Sequence, residues 1–396
     1  MVILASTVPA RSGDGTPEFV LALARKLSSR FDIFIIAPRV SGALREEDID
    51  GVAIRRFAYF PARWEKLADG AILPNLRTKP WTILQVPCLL GAFTGVTLAE
   101  IKRREPSLVH AHWIIPAGLV AWVARKLQGT PYIVTAHGAD GFALQGRFWR
   151  RLKRLVLEEA VEVLPTSREM AERLHLRDGE TEATVVPMGV DVDQIRRVAT
   201  KTQPRHGTFV FVGRLEDKKG VDTLLRAAAS VSEVRLVIIG DGNAGPSLRR
   251  LAEELGASKR ISFLGQKPRD EVLAQMKQAQ AVVIPSRVGR GGDRETTPLV
   301  MSEAMSAGVP VMASRMGGLS EHISHRENGI LFEPGSEESL ASALRFALEN
   351  PEEVAECARR ARELVKDGPL DIAYTAARYA DAYARAMAHG DAAVSD

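Results

Sequence analysis

The sequence has 396 residues, too long for one ordinary hydrophobic core and enough for two domains of about 150 to 200 residues each. Hydrophobic residues make up 45% of it and charged residues 26%, which excludes a disordered or collagenous chain. Cys88 and Cys357 are far apart and belong to no Cys/His cluster. Neither a disulfide scaffold nor a zinc site is indicated, and we expect a reducing, cytoplasmic location.

The net charge of +4 comes from the first half of the chain. Residues 1–200 carry 27 basic and 22 acidic side chains. Residues 51–110 hold nine basic and four acidic side chains among several aromatic ones, and RFWRRLKR (147–154) has five positive charges. Such segments suit solvated helix faces, an acidic substrate, or peripheral contact with an anionic membrane, for example at its inner face. No nucleic-acid-binding motif accompanies them, so we expect no nucleic acid partner.

The chain begins with a short apolar run that no basic residue precedes, so we expect a first strand there and not a signal peptide. The most apolar later stretch, 83–96, is shorter than the roughly 20 residues of a membrane span and contains Pro87. We therefore expect no membrane-spanning helix.

Short apolar runs alternate with amphipathic segments along the whole chain. In the first half, the predicted strands are 2–5, 31–37, 107–111, 132–136, 161–165 and 184–187, and the predicted helices include 17–29 and 116–127. In the second half, the strands are 208–213, 234–240, 261–265, 281–285, 309–313 and 329–332, and the helices include 218–231, 246–256 and 336–349. This alternation predicts parallel sheets with crossover helices, in two Rossmann-like, doubly wound α/β domains.

The domain boundary is predicted at the polar segment KTQPRHG (201–207), which lacks periodicity. The expected domains are 1–190 and 207–370, with a final helix over 371–390 that packs back onto the first. Ligands of such folds bind beyond the carboxyl ends of the strands, so we expect a site in a cleft between the domains.

The segment FVGRLEDKKG (211–220) predicts an anion site. Arg214 directly follows a predicted strand, and Lys218 or Lys219 precedes the helix that Gly220 opens. Two cations beside a helix N-terminus suit a di-anion, although loop charges that only keep the protein soluble are the alternative.

A second segment, 289–314, combines a glycine-rich loop with a helix. Thr297 and Pro298 predict a helix start, and the helix should end at Gly308. Glu295 then lies in the loop and Glu303 in the second turn. Carboxylates accept hydrogen bonds from sugar hydroxyls while amides and cations hold phosphates, so the predicted ligand is a nucleotide sugar. Taken alone, the two glutamates could be surface charges.

Three histidines lie at the carboxyl ends of two neighbouring predicted strands. His137 suits a polar clamp on a sugar or a proton relay, and a core histidine is the alternative. For His110 and His112 we favour a core or supporting position. Asp140 could orient His137, bind an acceptor or be exposed to solvent.

These motifs resemble a known family. FVGRLEDKKG, ETTPLVMSEAMSAGVPVMAS (295–314), GGLSEHI (317–323) and ENGILFEPG (327–335) are similar to the nucleotide-sugar domain of the retaining family-4 glycosyltransferases of GT-B fold, the glycosyltransferases group 1. SGDGTPEFVLALARKL (12–27), HAHWIIPAGL (110–119) and TAHGAD (135–140) extend the resemblance to the first half, so it spans nearly the whole chain.

The resemblance implies a retaining transfer of a sugar to a hydroxyl acceptor, as in polysaccharide, lipopolysaccharide or glycolipid biosynthesis. The implied catalytic residues are His137, Glu295, Arg214 and Lys219. Arg214 and Lys219 would hold the diphosphate and Glu303 the ribose hydroxyls. The expected donor-binding residues are Arg214, Lys219, Gly240, Glu295, Thr297, Leu299, Val300 and Glu303. The expected acceptor-side residues are Gly13, Gly15, Thr16, His112 and Asp140.

We expect no cofactor and no metal. The two D-x-D sequences, at 48–50 and 191–193, lie in a charged surface run and in the linker, and the basic pair makes a metal unnecessary. The expected partners are a UDP-, GDP- or ADP-linked sugar and a glycan or lipid-linked acceptor. A non-catalytic nucleotide-sugar sensor, an epimerase or a phosphorylase on the same scaffold are the alternatives.

Overall fold

Two mainly parallel sheets organise the chain in the computed structural model, which describes residues 1–10, 18–70, 72–178, 181–182, 184–198, 203–289 and 292–392. The chain divides into two compact units. The first contains Met1–Thr166, Met170–Val186 and the chain from Thr375 onward, and the second contains Ser167–Glu169 and Pro187–Tyr374. The boundary at Val186 thus precedes the predicted limit at residue 190.

The first unit is built on a seven-stranded sheet of order β3-β4-β2-β1-β5-β6-β7. Its strands are β1 (Val2–Leu4), β2 (Phe34–Pro38), β3 (Glu46–Ile49), β4 (Val52–Phe57), β5 (Val109–His112), β6 (Tyr132–Ala136) and β7 (Glu162–Pro165). Its helices are α1 (Phe19–Leu27), α2 (Ile72–Thr78), α3 (Val86–Arg104), α4 (Leu119–Gln128), α5 (Gly138–Phe142), α6 (Arg147–Glu158) and α7 (Arg168–Arg173), with α16 (Ile372–Ala392) at the end of the chain. A short antiparallel ribbon joins β8 (Arg177–Asp178) and β9 (Thr181–Glu182).

The two faces of this sheet carry different layers. Along β5, Val109 and Ala111 join an apolar cluster with side chains of α3, α4 and α6. Side chains alternate along a strand, so His110 and His112 point to the opposite face. There His110 meets Tyr383 of α16. The predicted final helix is therefore observed within the first unit, on the face that holds the histidines.

The second unit is built on a six-stranded parallel sheet of order β12-β11-β10-β13-β14-β15. Its strands are β10 (Arg205–Val212), β11 (Arg235–Ile239), β12 (Ile261–Gly265), β13 (Ala279–Ile284), β14 (Val311–Ser314) and β15 (Ile330–Phe332). Its helices are α8 (Val192–Arg197), α9 (Val221–Ala229), α10 (Gly245–Glu254), α11 (Arg269–Gln278), α12 (Leu299–Ala307), α13 (Gly317–His322), α14 (Glu337–Glu349) and α15 (Pro351–Val365). Alternation along β10 puts Phe209 and Phe211 in one apolar cluster and Val210 in another, so both faces of the sheet are covered.

One expected strand is absent among the described residues, and two observed strands were not expected. Residues 184–187 form no strand, although Val186 N donates to Pro165 O at 2.9 Å. Strands β3 and β4 were not predicted, since EEDI in β3 is mostly charged. Strand β3 forms the antiparallel edge of the sheet, where charged side chains reach water, and a turn at Asp50 and Gly51 with positive φ leads from it into β4.

The expectation about membrane-spanning length also needs correction. Pro80–Arg104 forms one continuous helical segment that is long and apolar enough to cross a bilayer by length and composition. Its inner side nevertheless packs into the core of the first unit through Leu89, Phe93 and Ile101. Near its end, the buried Glu100 binds three arginines: Arg55, Arg103 and Arg104. These contacts make it a helix of the α/β unit.

Candidate active site

Neighbouring strands bring the two predicted donor segments together in the second unit. Strands β10 and β13 pair in parallel, so their carboxyl ends lie side by side. The loop after β10 carries Arg214 to Gly220, and the loop after β13 leads to α12. Arg287 N donates to Lys218 O at 2.8 Å, which joins the loops directly. At Gly220, with φ +63°, a Cβ would lie 2.0 Å from Pro285 O, so only glycine permits this approach.

Two lysines converge on one carboxylate where these loops meet. Lys219 Nζ donates to Glu295 Oε2 at 2.8 Å, and Lys218 Nζ lies 3.5 Å from Glu295 Oε1. Lys218 also pairs with Asp293 Oδ1 at 3.3 Å. All four side chains are largely buried. We call Lys218, Lys219, Asp293 and Glu295 the lysine–carboxylate cluster.

Electrostatics keep this cluster ionised. Burial alone would raise the pKa of Glu295, but the charges of Lys219, Lys218 and Arg214 outweigh it and lower the pKa to about 2. Burial likewise opposes the charged form of Lys218, yet Glu295 and Asp293 raise its pKa above the ordinary value. The site therefore holds preformed opposite charges at neutral pH. Arg214, which is more exposed, pairs with Glu216 at 3.1 Å.

Helix α12 begins beside the cluster, but later than predicted. Its first residue is Leu299, because Pro298 keeps an extended ψ of 129°, so the expected cap at Thr297 is wrong. The first-turn amides of a helix, which here include those of Leu299 and Val300, have no intrahelical acceptor and favour anions. Helix α13 packs closely against the loop that precedes α12, since a Cβ at Gly318 would lie 2.3 Å from Thr296 O. The end at Gly308, with φ +72°, is as predicted.

Two further predicted donor residues have well-defined surroundings. Glu303, in the second turn of α12, accepts from Arg269 Nε at 3.3 Å. Gly240 follows β11, and a Cβ there would lie 2.0 Å from Gly213 O, next to Arg214. Gly240 thus allows the ends of β10 and β11 to approach each other, a packing reason for glycine at this position.

In the first unit, the three histidines form a buried cluster. His112 Nδ1 and His137 Nε2 share a hydrogen bond of 3.1 Å, and the His110 and His112 ring centroids are 4.2 Å apart. His110 is bonded through Nδ1 to the Tyr383 hydroxyl at 2.7 Å and through Nε2 to Thr135 Oγ1 at 2.8 Å. These bonds confirm His110 as a core histidine.

Burial holds these histidines neutral. It lowers the pKa of His110 and of His137 to about 3, and that of His112 well below its usual value. His112 Nε2 is buried and has no hydrogen-bond partner among the residues that the structure describes. The pair of His112 and His137 therefore offers one unsatisfied polar atom.

Asp140 is buried, which rules out the exposed alternative. Its Oδ2 accepts from the backbone N–H of His137 at 3.0 Å, so it braces the turn after β6. Burial raises its pKa to about 7 in spite of this bond. Lys153 Nζ donates to the backbone oxygens of Asp140 and Ala143. Lys153, which the sequence grouped with surface charges, is thus buried, and neither its spacing nor its neighbours in RFWRRLKR indicated this.

Some expectations concern other positions. Gly13, Gly15 and Thr16 lie outside the described residues. Both D-x-D sequences have local roles: Asp48 Oδ1 accepts from Gly51 N, and Asp191 Oδ1 caps α8 by accepting from Gln194 N. The described part of the chain contains no group of three or more His, Cys, Asp or Glu side chains placed to hold a metal ion.

Asp293 of the lysine–carboxylate cluster was not predicted from the sequence. Its place two residues before Glu295 was a usable signal.

Comparison with known proteins covers both halves of the chain. Residues 193–364 match the family model of glycosyl transferases group 1, and residues 14–189 match that of the glycosyl transferase 4-like domain. The D-inositol 3-phosphate glycosyltransferase of Corynebacterium glutamicum (strain R) is 30% identical over 364 residues, which cover 82% of this chain and 84% of that protein. The protein of the same name from Mycobacterium sp. (strain KMS) is 32% identical over 284 residues, covering 64% and 63%.

Solved structures show the same fold. The sucrose-phosphate synthase of Thermosynechococcus elongatus has a TM-score of 0.77 at 20% identity, covering 98% of this chain and 99% of that one. Anabaena Alr3699/HepE in complex with UDP-glucose has a TM-score of 0.72 at 18% identity, covering 97% and 98%. These likenesses confirm the predicted GT-B fold class.

Proposed function

Because the chain belongs to the family of glycosyl transferases group 1, we propose that it moves a sugar from a nucleotide-diphosphate sugar to a hydroxyl acceptor. The proposal includes retention of the anomeric configuration and independence from metal ions. The observation that carries it is the lysine–carboxylate cluster, in which Lys219 Nζ lies 2.8 Å from Glu295 Oε2 beside the start of α12.

The cluster suits the charge that develops during transfer. Breaking the anomeric bond places negative charge on the departing diphosphate. Lys219, Lys218 and Arg214 would offset this charge together with the first-turn amides of α12 at Leu299 and Val300, all held in position before the reaction. A bound metal is then unnecessary.

Glu295 would exchange its partners during the cycle. In the structure it accepts from Lys219 and lies near Lys218. Phosphate oxygens would compete for these ammonium groups and leave the Glu295 carboxylate for hydroxyls of the donor sugar. Glu303 would accept from the ribose hydroxyls, in exchange for its bond with Arg269.

The acceptor side is proposed at the buried histidines. His137 would lie beside the donor sugar, and His112 Nε2, which has no partner among the described residues, would bond a hydroxyl group. Asp140 would hold the backbone of His137 in place. The leaving phosphate would take the acceptor's proton, since both histidines are neutral and their lowered pKa values make them weak bases. Gly13, Gly15 and Thr16 complete the proposed acceptor side.

The substrates are proposed by class. The complex of Anabaena Alr3699/HepE with UDP-glucose supports a UDP-linked donor, with GDP- and ADP-linked sugars as the other candidates. The acceptor is proposed to be a glycan or a lipid-linked glycan in polysaccharide, lipopolysaccharide or glycolipid synthesis, reached from the cytoplasm at the inner membrane face. D-inositol 3-phosphate, which appears in the names of the relatives, is the comparison acceptor for transfer assays.

Calorimetry with UDP, GDP, ADP and their sugars tests donor binding, with Lys219→Ala as the variant and the exposed Lys259→Ala as its matched control. One nucleotide should bind the wild type and Lys259→Ala with the same affinity and Lys219→Ala more weakly. If none of these compounds gives a heat of binding, the proposal is overturned. Binding without transfer or donor hydrolysis would favour a sensor.

NMR of the product tests whether the anomeric configuration is retained. Activity after treatment with a chelator tests independence from metal ions.

A further inference from the structure

Three helices of the first unit form one continuous layer on the sheet. Helices α3, α4 and α6 each lie in a connection that crosses toward the β7 edge of the sheet, and right-handed crossovers place such helices on the same face. Their inner side chains share one apolar cluster. Gln128 Nε2 of α4 donates to Leu98 O of α3 at 3.0 Å, and Lys126 of α4 pairs with Glu159, at the end of α6, at 2.8 Å. The outer side of this layer is a single surface.

That surface exposes large apolar side chains. Thr82 and Gln85 are buried and anchor the turn at 80–85, which leaves Trp81, Ile83 and Leu84 pointing outward. Leu84 is 72% exposed and Ile83 57%. No charged residue occurs between Lys79 and Glu100, so the outer side of α3 is uncharged along most of its length.

The loop before this turn adds an exposed aromatic ring. Gln85 Nε2 donates to Trp64 O at 2.7 Å, and Gln85 Oε1 accepts from the backbone of Lys66 and Leu67. Trp64 is half exposed, with the Arg63 guanidinium 4.2 Å from its ring centroid. An aromatic ring and a cation therefore lie beside the apolar turn.

Helix α6 continues the pattern at the other end of the layer. Lys153 and Val156 point inward, whereas Phe148 and Leu155, seven positions apart on one stripe, are exposed. Leu127 of α4 is exposed between these two regions. We call Trp64, Trp81, Ile83, Leu84, Leu127, Phe148 and Leu155 the apolar outer surface.

Cations surround the apolar outer surface. Arg63, Arg77 and Lys79 are exposed near the turn, and Arg147, Arg150 and Arg151 are exposed on α6. Within the described chain, none of these six has a carboxylate within ion-pair distance, whereas Arg154 pairs with Glu158 and Lys66 with Asp69. Unpaired cations around apolar and aromatic side chains complement the anionic headgroups and acyl boundary of a bilayer.

We propose that the outer side of the α3–α4–α6 layer docks the protein on an anionic lipid bilayer, with Trp81, Ile83 and Leu84 inserted at the interface and the arginines of α6 on the headgroups. The core packing of α3 and its buried Glu100 keep the helix on the sheet, so the contact is peripheral. Docking would give the proposed transferase access to lipid-linked acceptors, but it requires neither donor nor turnover, and its test is independent of the donor site.

Flotation of the full chain with phosphatidylcholine vesicles, with and without phosphatidylglycerol, tests the proposal. Ile83→Ser/Leu84→Ser removes the inserting side chains, and Arg147→Gln/Arg150→Gln/Arg151→Gln removes charge. Leu364→Ser/Arg250→Gln, at exposed positions of the second unit, is the matched control. All changes are on the surface, and the circular dichroism spectrum and thermal unfolding of each variant check that it still folds.

We expect binding to anionic vesicles that high salt reverses, with affinity lowered at least about tenfold in both first-unit variants and unchanged in the control. Absence of wild-type binding to anionic vesicles, or equal binding by all variants, would overturn the proposal. Retention on vesicles after alkaline carbonate extraction would instead identify a spanning helix. Dimerisation that Ile83→Ser/Leu84→Ser abolishes, without vesicle binding, would identify the surface as an interface between copies.

Discussion

The histidine cluster of the first unit and the lysine–carboxylate cluster of the second bury polar side chains in opposite ways. The first keeps His110, His112 and His137 neutral because burial lowers their pKa values. The second keeps Lys218 and Glu295 charged by pairing opposite charges. A neutral network is sensitive to protons, whereas a charged cluster is sensitive to the loss or exchange of one partner.

The largest expected effect is acid destabilisation of the first unit. The folded-state pKa values of the three histidines lie below the ordinary 6.5, at about 3 for His110 and His137, so their contribution to stability is complete above pH 6.5 and is lost as pH falls below it. At pH 5 each fully buried histidine should cost roughly 2 kcal/mol of unfolding free energy relative to pH 7.5.

Denaturant unfolding at these two pH values measures the loss. In His112→Gln the difference in unfolding free energy between pH 7.5 and pH 5 should be smaller than in the wild type by about the contribution of one histidine. His206→Gln, at an exposed position, should show the wild-type difference. The same pH dependence in His112→Gln and wild type would show that His112 is not held neutral.

Among substitutions in the lysine–carboxylate cluster, Lys219→Ala should slow sugar transfer most strongly. Lys219→Ala removes a cation that is in place before charge develops on the diphosphate, so kcat should fall on the order of a hundredfold. Steady-state kinetics with the donor identified by calorimetry measures this. Activity near the wild-type value in Lys219→Ala, with Lys259→Ala as the reference, would remove Lys219 from the site.

Removing the Glu295 carboxylate should have opposite effects on diphosphate binding and on turnover. Glu295→Gln frees Lys219 and Lys218 from a competing carboxylate, so the nucleoside diphosphate should bind as tightly as in the wild type or more tightly. The sugar loses a charged acceptor, so kcat should fall on the order of tenfold or more. Calorimetry and kinetics separate the two effects, and weaker diphosphate binding would contradict the proposed exchange of partners.

The smallest effect is expected at the edge of the neutral network. Tyr383→Phe removes the hydroxyl that is bonded to His110 Nδ1 at 2.7 Å, and should cost about 1 kcal/mol of unfolding free energy. Tyr374→Phe, on the same helix, is the control and should cost less. Equal stability of Tyr383→Phe and wild type, measured by denaturant unfolding, would mean that the hydrogen bond contributes no net stability.

Much of this molecule was predictable where the chemistry is local. The apolar runs that became β1, β2, β5, β6 and β7 in the first unit were recognised, and the family resemblance is confirmed. The hairpin of β3 and β4 was missed, because a charged edge strand depends on its partner and not on its own apolar side chains. The start of α12 was predicted too early, because Pro298 is extended and does not form part of the helix.

The site shows the same division between near and distant partners. The sequence alone determined that two sheets form and that Arg214, Lys219 and Glu295 follow strands, since periodicity and spacing lie within short segments. Only the tertiary structure decided that Lys219 reaches Glu295 across 76 positions, and that Tyr383 bonds His110 across 273. Burial and pairing arise from segments distant in the chain, so the charge state of these groups is a property of the packed molecule.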